Sequence, residues 1–238
     1  MILSFRMVNH ILITGATGYI GSHFAKKLVQ EGYNITLLKR STSNTKRIKS
    51  VIHKVNIYNL DKIDLREIFI KNNFDYVFNF VTDYGRKGSK LSELIETNVV
   101  FPIKLIDLAS EARVKTYFNI DTSLNKKLNH YAYTKYIARK LIKEYQDRIQ
   151  IKNLKLEYVY GPDDDESKFI PFAIKKLKNN EDLNMSPGEQ EIDFVWEMLI
   201  RGVWCMNKRE QAVYDFISWF YKQKGYYPTL SDIASCNA

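Results

Sequence analysis

Eight residues constrain this chain more than any others: Thr14-Gly15-Ala16-Thr17-Gly18-Tyr19-Ile20-Gly21. They follow an apolar run, His10 to Thr14, that reads as a buried strand, and they open a helical pattern from Tyr19 to Gln30. Three glycines at this spacing between a strand and a helix form a dinucleotide-binding fingerprint. Gly15 makes the tight turn, Gly18 lets backbone approach a pyrophosphate, and Gly21 lets helix and strand pack closely. The unpaired N–H groups and positive dipole end of the helix complete an anion site. Thr17, Tyr19 and Ile20 lie in the same turn and join the glycines as cofactor-binding candidates. An ordinary strand–helix turn is the competing reading.

The pattern beyond the turn favours the cofactor. Strands are expected at Asn34–Leu38, Val51–Ile57, Tyr76–Val81, Thr116–Ile120 and Leu154–Tyr160. Helices are expected at Leu65–Lys71, Leu91–Ala112 and His130–Tyr145. Apolar strands alternating with helices predict an α/β fold, a Rossmann-type doubly wound parallel sheet covered on both faces. The second strand runs into Lys39-Arg40-Ser41-Thr42-Ser43, with no acidic residue between Gly32 and Leu60. An acid there would bind the ribose 2′-hydroxyl of NAD, whereas an Arg accommodates the 2′-phosphate of NADP. Arg40 is therefore the candidate for that phosphate, with NADP preferred and NAD the alternative.

Tyr131 and Lys135 stand four residues apart, on one face of the helix expected from His130. A free phenol titrates near about 10, and a neighbouring ammonium favours the phenolate and lowers that value. Tyr131 is thus a candidate general acid or base. Tyr136 and Lys140 have the same spacing, so spacing alone does not choose between the pairs. Other chemistries find little support. His10, His23, His53 and His130 show no metal-ligand spacing, and no metal site is expected. Asp163-Asp164-Asp165-Glu166 reads as a solvated loop.

The glycine turn together with Tyr131-x-x-x-Lys135 resembles the extended short-chain dehydrogenase/reductase family of sugar-nucleotide epimerases, dehydratases and reductases. That resemblance implies a third catalytic residue at the end of the preceding strand, where Asn119-Ile120-Asp121-Thr122-Ser123 puts Thr122. Asn98, in Glu96-Thr97-Asn98-Val99-Val100, and Tyr160-Gly161-Pro162 agree with it. Four stretches are similar to the CDP-abequose synthase branch, which reduces a 4-keto CDP-dideoxy sugar: Asp83 to Lys87, Leu156 to Pro162, Ser167 to Pro171 and Gly188 to Gln190. The resemblance implies that Tyr131 exchanges a proton with a sugar oxygen. It implies that Thr122 hydrogen-bonds that oxygen, and that Lys135 holds the nicotinamide ribose. Tyr84 and Asn98 become candidate substrate-binding residues, and a nucleotide sugar the substrate.

Two departures stand against it. Ile192 replaces the Arg that such proteins use against nucleotide phosphates, and the resemblance is expected to end near Trp196. All three tryptophans, Trp196, Trp204 and Trp219, lie at or beyond that point. Met206 to Ile217 and Lys224 to Ala234 resemble the start of a LexA-type repressor DNA-binding domain, without its recognition helix. The expected organisation is a cofactor domain with a partial substrate region over 1–196 and a helical segment over 197–238.

The 36 Lys and Arg against 27 Asp and Glu, a net charge of +9, would suit nucleic acid. The phosphate turn and the Tyr–Lys pair favour an enzyme over a DNA-binding regulator. A cofactor-binding remnant without turnover is the third reading, with the chain a junction of two parts. No run approaches the ~18 apolar residues of a membrane helix, Met1 to Arg6 do not begin a signal peptide, and two cysteines build no disulfide scaffold. A cytoplasmic location is expected, with a homodimer left open.

Overall fold

The computed structural model describes residues 9–86, 88–156, 158–161, 163–166, 168–179, 181–182 and 195–196. They fall into two units divided between residues 157 and 158. The boundary expected at 196/197 and the repressor-like segment lie outside the described residues.

The first unit is a six-stranded, wholly parallel sheet. Its strands are β1 (His10–Thr14), β2 (Asn34–Lys39), β3 (Asn56–Asn59), β4 (Tyr76–Asn79), β5 (Thr116–Thr122) and β6 (Gln150–Leu156). They lie in the order β3-β2-β1-β4-β5-β6. This is the doubly wound order in which a dinucleotide binds outside the carboxyl ends of the strands, where the order reverses beside β1. The helices are α1 (Tyr19–Gln30), α2 (Leu65–Lys71), α3 (Leu91–Ile95), α4 (Phe101–Glu111) and α5 (His130–Lys143). A π-helical turn, Glu96–Val100, joins α3 to α4.

Alternation along the strands explains why both faces are covered. Leu12, Leu38, Val77 and Tyr117 pack with Ile68, Leu105, Ile106, Ala109, Ala138 and Ile142 from α2, α4 and α5. Their neighbours in sequence point the other way. There Phe78 stacks on Phe118 at 4.1 Å, and Phe24 of α1 lies 4.5 Å from Phe78. Toward the carboxyl ends a polar row crosses four strands, Thr14, Asn79, Asn119 and Asn153 in register. The Thr14 hydroxyl donates to Asn79 Oδ1 at 2.8 Å, and Asn119 Nδ2 to Asn153 Oδ1 at 3.0 Å.

Several element boundaries differ from the sequence expectation: the helix expected over Leu91–Ala112 is divided by the π-helical turn, the strand expected over Tyr76–Val81 ends at Asn79, and the strand expected over Thr116–Ile120 runs on to Thr122. The strand expected over Val51–Ile57 begins only at Asn56. Short 3₁₀ turns at Lys46–Ile48 and Ile52–Lys54 precede it, because Ile48 and Val51 bury their side chains without extending the chain. The strand expected at Leu154–Tyr160 runs instead from Gln150 to Leu156, pairing along the whole of β5, and Val159–Tyr160 belongs to a separate strand.

The second unit holds β7 (Val159–Tyr160) paired in parallel with β8 (Val195–Trp196), and α6 (Phe169–Lys178). The acidic loop is exposed at Asp163, Asp165 and Glu166, as expected, and also carries two ion pairs. Asp164 meets Lys168 at 2.8 Å with its side chain buried, and Glu166 meets Lys175 at 2.6 Å. Among the described residues, no helix is long and apolar enough to cross a membrane.

Candidate active site

Every candidate in the first unit sits at the carboxyl edge of the parallel sheet or in the segments leaving it. β1 ends at Thr14, and the chain turns at once. Gly15 has φ +72°, and the Gly18 amide donates to the Gly15 carbonyl at 3.0 Å. Gly18 then caps α1 with extended backbone, so its exposed Cα faces the open end of the helix. The packing leaves no room for side chains. A Cβ on Gly21 would lie 2.4 Å from the Gly15 carbonyl oxygen, and one on Gly15 2.7 Å from the Phe80 backbone. A bare backbone turn feeding a helix N-terminus fits a dinucleotide pyrophosphate. Ala16 is buried, while Thr17, Tyr19 and Ile20 line the turn half-buried. The Arg47 guanidinium lies 5.6 Å from the centre of the Tyr19 ring.

At the end of β2, Arg40 is exposed. The Lys39 ammonium is turned aside, donating to Asn59 Oδ1 at 2.8 Å and to the Arg40 carbonyl at 3.1 Å. The loop is not free of carboxylates, as its sequence suggested. Asp61 reaches it from beyond β3 and accepts hydrogen bonds from both the amide and the hydroxyl of Ser41. Those bonds hold the Asp61 carboxyl below its ordinary range. Parallel pairing of β2 with β3 sets Lys39 beside Asn59, and so brings the residues after each strand together.

The end of β5 and the start of α5 gather the catalytic candidates. Asn129 caps α5, its side-chain oxygen accepting from the Ala132 amide at 2.8 Å. Two residues past that cap, the Tyr131 phenol meets the Thr122 hydroxyl at the last position of β5. Lys135 is buried and donates to the carbonyl of Ile120. Burial lowers its ammonium to about 8, and Asp121 partly opposes this. The Tyr131 phenol is pushed up, not down as the Tyr–Lys spacing suggested. Burial is the largest cause, the Tyr84 phenol adds to it, and the Thr122 hydrogen bond pulls only part of the way back. The second pair lies in different surroundings. Tyr136 carries Lys126, Arg139 and Lys140 around its ring at 4.3, 5.6 and 5.8 Å, and Lys140 is exposed.

Tyr84 is half exposed, its ring 4.9 Å from that of Tyr131, with the Arg86 guanidinium 5.2 Å from its own ring. Asn98, expected to bind substrate, is fully buried and has another task. Its oxygen accepts from the Asp83 amide and its nitrogen donates to the Asp83 carbonyl, each at 2.8 Å. The same nitrogen reaches the Thr134 hydroxyl at 3.1 Å. Asn98 therefore ties the Tyr84 loop to α5.

A model of the NAD dependent epimerase/dehydratase family matches residues 11–214. The chain belongs to that family. The match continues past Trp196, where the resemblance was expected to stop, and overlaps the first residues of the repressor-like stretch. The CDP-abequose synthase of Salmonella muenchen is 35% identical over 196 residues, 78% of this chain and 65% of that protein. This chain thus spans just under two thirds of that relative's length. Among solved structures, the UDP-N-acetylglucosamine 4-epimerase of Methanobrevibacter ruminantium, in complex with UDP-N-acetylmuramic acid, is similar with a TM-score of 0.71. It is 22% identical and covers 82% of this chain and 71% of its own. The Bordetella bronchiseptica enzyme WbmG, in complex with NAD, gives 0.71 at 19% identity, over 85% and 69%. These likenesses agree on the fold.

Proposed function

We propose that this protein reduces the ketone of a nucleotide-activated 4-keto deoxy sugar, with NADP the preferred cofactor. The observation that carries the reading is the Thr122–Tyr131–Lys135 constellation at the carboxyl edge of the sheet that also carries the glycine turn. The likeness to a CDP-abequose synthase supports the substrate class. A bound nicotinamide cofactor supplies the hydride of such a reaction. The residues of this chain do the rest. The glycine turn and the α1 N-terminus hold the pyrophosphate, and exposed Arg40 faces the 2′-phosphate. Lys135 anchors the nicotinamide ribose. Thr122 orients the sugar oxygen, and Tyr131 gives it a proton.

A phenol is protonated at neutral pH and can donate to a ketone oxygen gaining charge. Burial weakens Tyr131 as an acid, so the reading rests on its position beside Thr122 and Lys135. Tyr84, beside it and partly exposed, supplies a flat surface for the sugar ring.

The test is fluorescence titration with NADPH and NADH, followed by an absorbance assay over a panel of 4-keto sugar nucleotides. NADPH oxidation with a 4-keto substrate is expected, with tighter binding of NADPH than NADH. Tight cofactor binding with no turnover on any member would select a cofactor-binding protein instead, a reading that Ile192 favours. Equal affinities would remove the NADP preference, and so would an Arg40→Ala variant that binds NADPH unchanged.

A further inference from the structure

The residue before Thr122 has no part in the reaction above, yet it is the most enclosed carboxylate of the catalytic edge. Asp121 has a side chain wholly shielded from solvent. One oxygen accepts from the Thr122 amide at 2.8 Å. The other accepts from Arg139 at 2.6 Å. Arg139 and Lys135 are four residues apart and so share one face of α5, the face turned to β5. Sheet alternation puts Asp121 on the side of Tyr117 and Asn119, against α5, while Thr122 points the other way. Two cations one helical turn apart therefore meet consecutive residues of β5, Lys135 the Ile120 carbonyl and Arg139 the buried Asp121 carboxylate, whose backbone continues directly into Thr122.

We infer that Asp121, held by Arg139, is a positioning residue that keeps the buried Lys135 ammonium charged and directed along the end of β5. An isolated ammonium that is 1% exposed would tend to give up its proton rather than remain charged. Asp121 opposes that tendency from the strand. Arg139 offsets the carboxylate and fixes its rotamer, so the charge is neither free to swing nor left uncompensated.

The other charged groups around Lys135 are accounted for. Lys155 on β6 lies in register with Asp121 but is exposed. Tyr131 stands one turn before Lys135, with Tyr84 and Arg86 beside it from the loop after β4. On α3, Glu93 accepts from the Lys90 amide. On the π-helical turn, Glu96 is exposed and paired with Lys104. On α4, Asp107 accepts from the Tyr145 hydroxyl. Among the described residues, Asp121 is the buried carboxylate that follows the carbonyl Lys135 meets.

The inference rests on the proposed role of Lys135, but its test needs neither cofactor nor turnover. Protein labelled with ¹³Cε-lysine is titrated by NMR, with the Lys135 resonance assigned from a Lys135→Arg variant. Asp121→Asn is expected to lower the Lys135 titration by about 1 unit or more. Arg139→Gln is expected to raise it, and Arg139→Lys to leave it within about 0.5 unit. Loosened packing makes a different prediction, since water entry raises a buried lysine in every variant. An unchanged or raised titration in Asp121→Asn overturns the inference. Should that variant fail to fold, equal behaviour of Arg139→Gln and Arg139→Lys overturns it. Absence of NADPH oxidation in the wild type would instead count against the proposed reaction and leave these titrations standing.

Discussion

Replacing Lys135 by methionine is expected to stabilise the protein at neutral pH and to cost it about 1 kcal/mol at high pH, where only the lost hydrogen bond to Ile120 counts. The native ammonium titrates at about 8 instead of 10.5, because burial disfavours its charged form. The unfolded chain therefore binds the Lys135 proton more tightly than the native one. Stability is lowest below pH 8, rises through the interval from 8 to 10.5, and is constant above it. The whole difference is about 3 kcal/mol. Methionine also loses the hydrogen bond to the Ile120 carbonyl, worth about 1 kcal/mol. The net gain at pH 7 should then be about 2 kcal/mol. Urea unfolding of wild type and Lys135→Met at pH 7, 8.5 and 10.5 measures it. Taking the difference between the two proteins cancels the titration of every other lysine and tyrosine. The wild type should gain on the variant by about 1 kcal/mol per pH unit near pH 9, while the variant has no catalytic activity at any pH. A difference independent of pH would refute the reasoning, since it would mean that Lys135 holds its proton equally well in both states.

Other perturbations probe the rest of the site. Tyr131→Phe should lower ketone reduction by about 10²-fold or more with NADPH affinity nearly unchanged, whereas Tyr136→Phe should be tolerated; steady-state rates of both decide which pair acts. Gly21→Ala puts a methyl carbon 2.4 Å from the Gly15 carbonyl oxygen. It should abolish dinucleotide binding and cost more than about 2 kcal/mol, and a melting curve matching wild type would contradict the packing described. Asp61→Asn removes a negative charge from the loop that carries Arg40, so the preference for NADPH over NADH should rise about two- to fivefold by titration; an unchanged ratio would show that Asp61 does not face the phosphate.

The sequence disclosed the sheet and both ends of the catalytic edge because these rest on local signals. Glycine spacing needs only a strand before it and a helix after it, and Tyr131 with Lys135 needs only a helical period. Helix α2 was legible to the residue, Leu65–Lys71. What depended on contacts across strands was not. Asp61 acts on a loop 20 residues earlier in the chain, and its only sequence signal was its position just past a strand that pairs with β2. Asp121 was visible in the stretch ending at Thr122, yet its role depends on Arg139, 18 residues away. The i, i+4 relation of Arg139 to Lys135 was the available hint. The direction of the Tyr131 shift depends on burial and on Tyr84, neither of which a Tyr–Lys spacing encodes.

The clamp that Asn98 makes on Asp83 has a consequence for how such a site can change over generations. Both bonds go to backbone atoms, so they hold residue 83 whatever side chains follow it. Tyr84 and Arg86 project from the anchored segment into solvent beside the Tyr131 ring. Substitutions at such exposed positions typically shift stability by less than about 0.5 kcal/mol. The surface beside Tyr131 can therefore drift by single mutations while Tyr131 stays where α5 and Thr122 hold it. In this fold the freedom to acquire a new substrate and the obligation to keep one chemistry are assigned to neighbouring residues, with a single buried amide separating them.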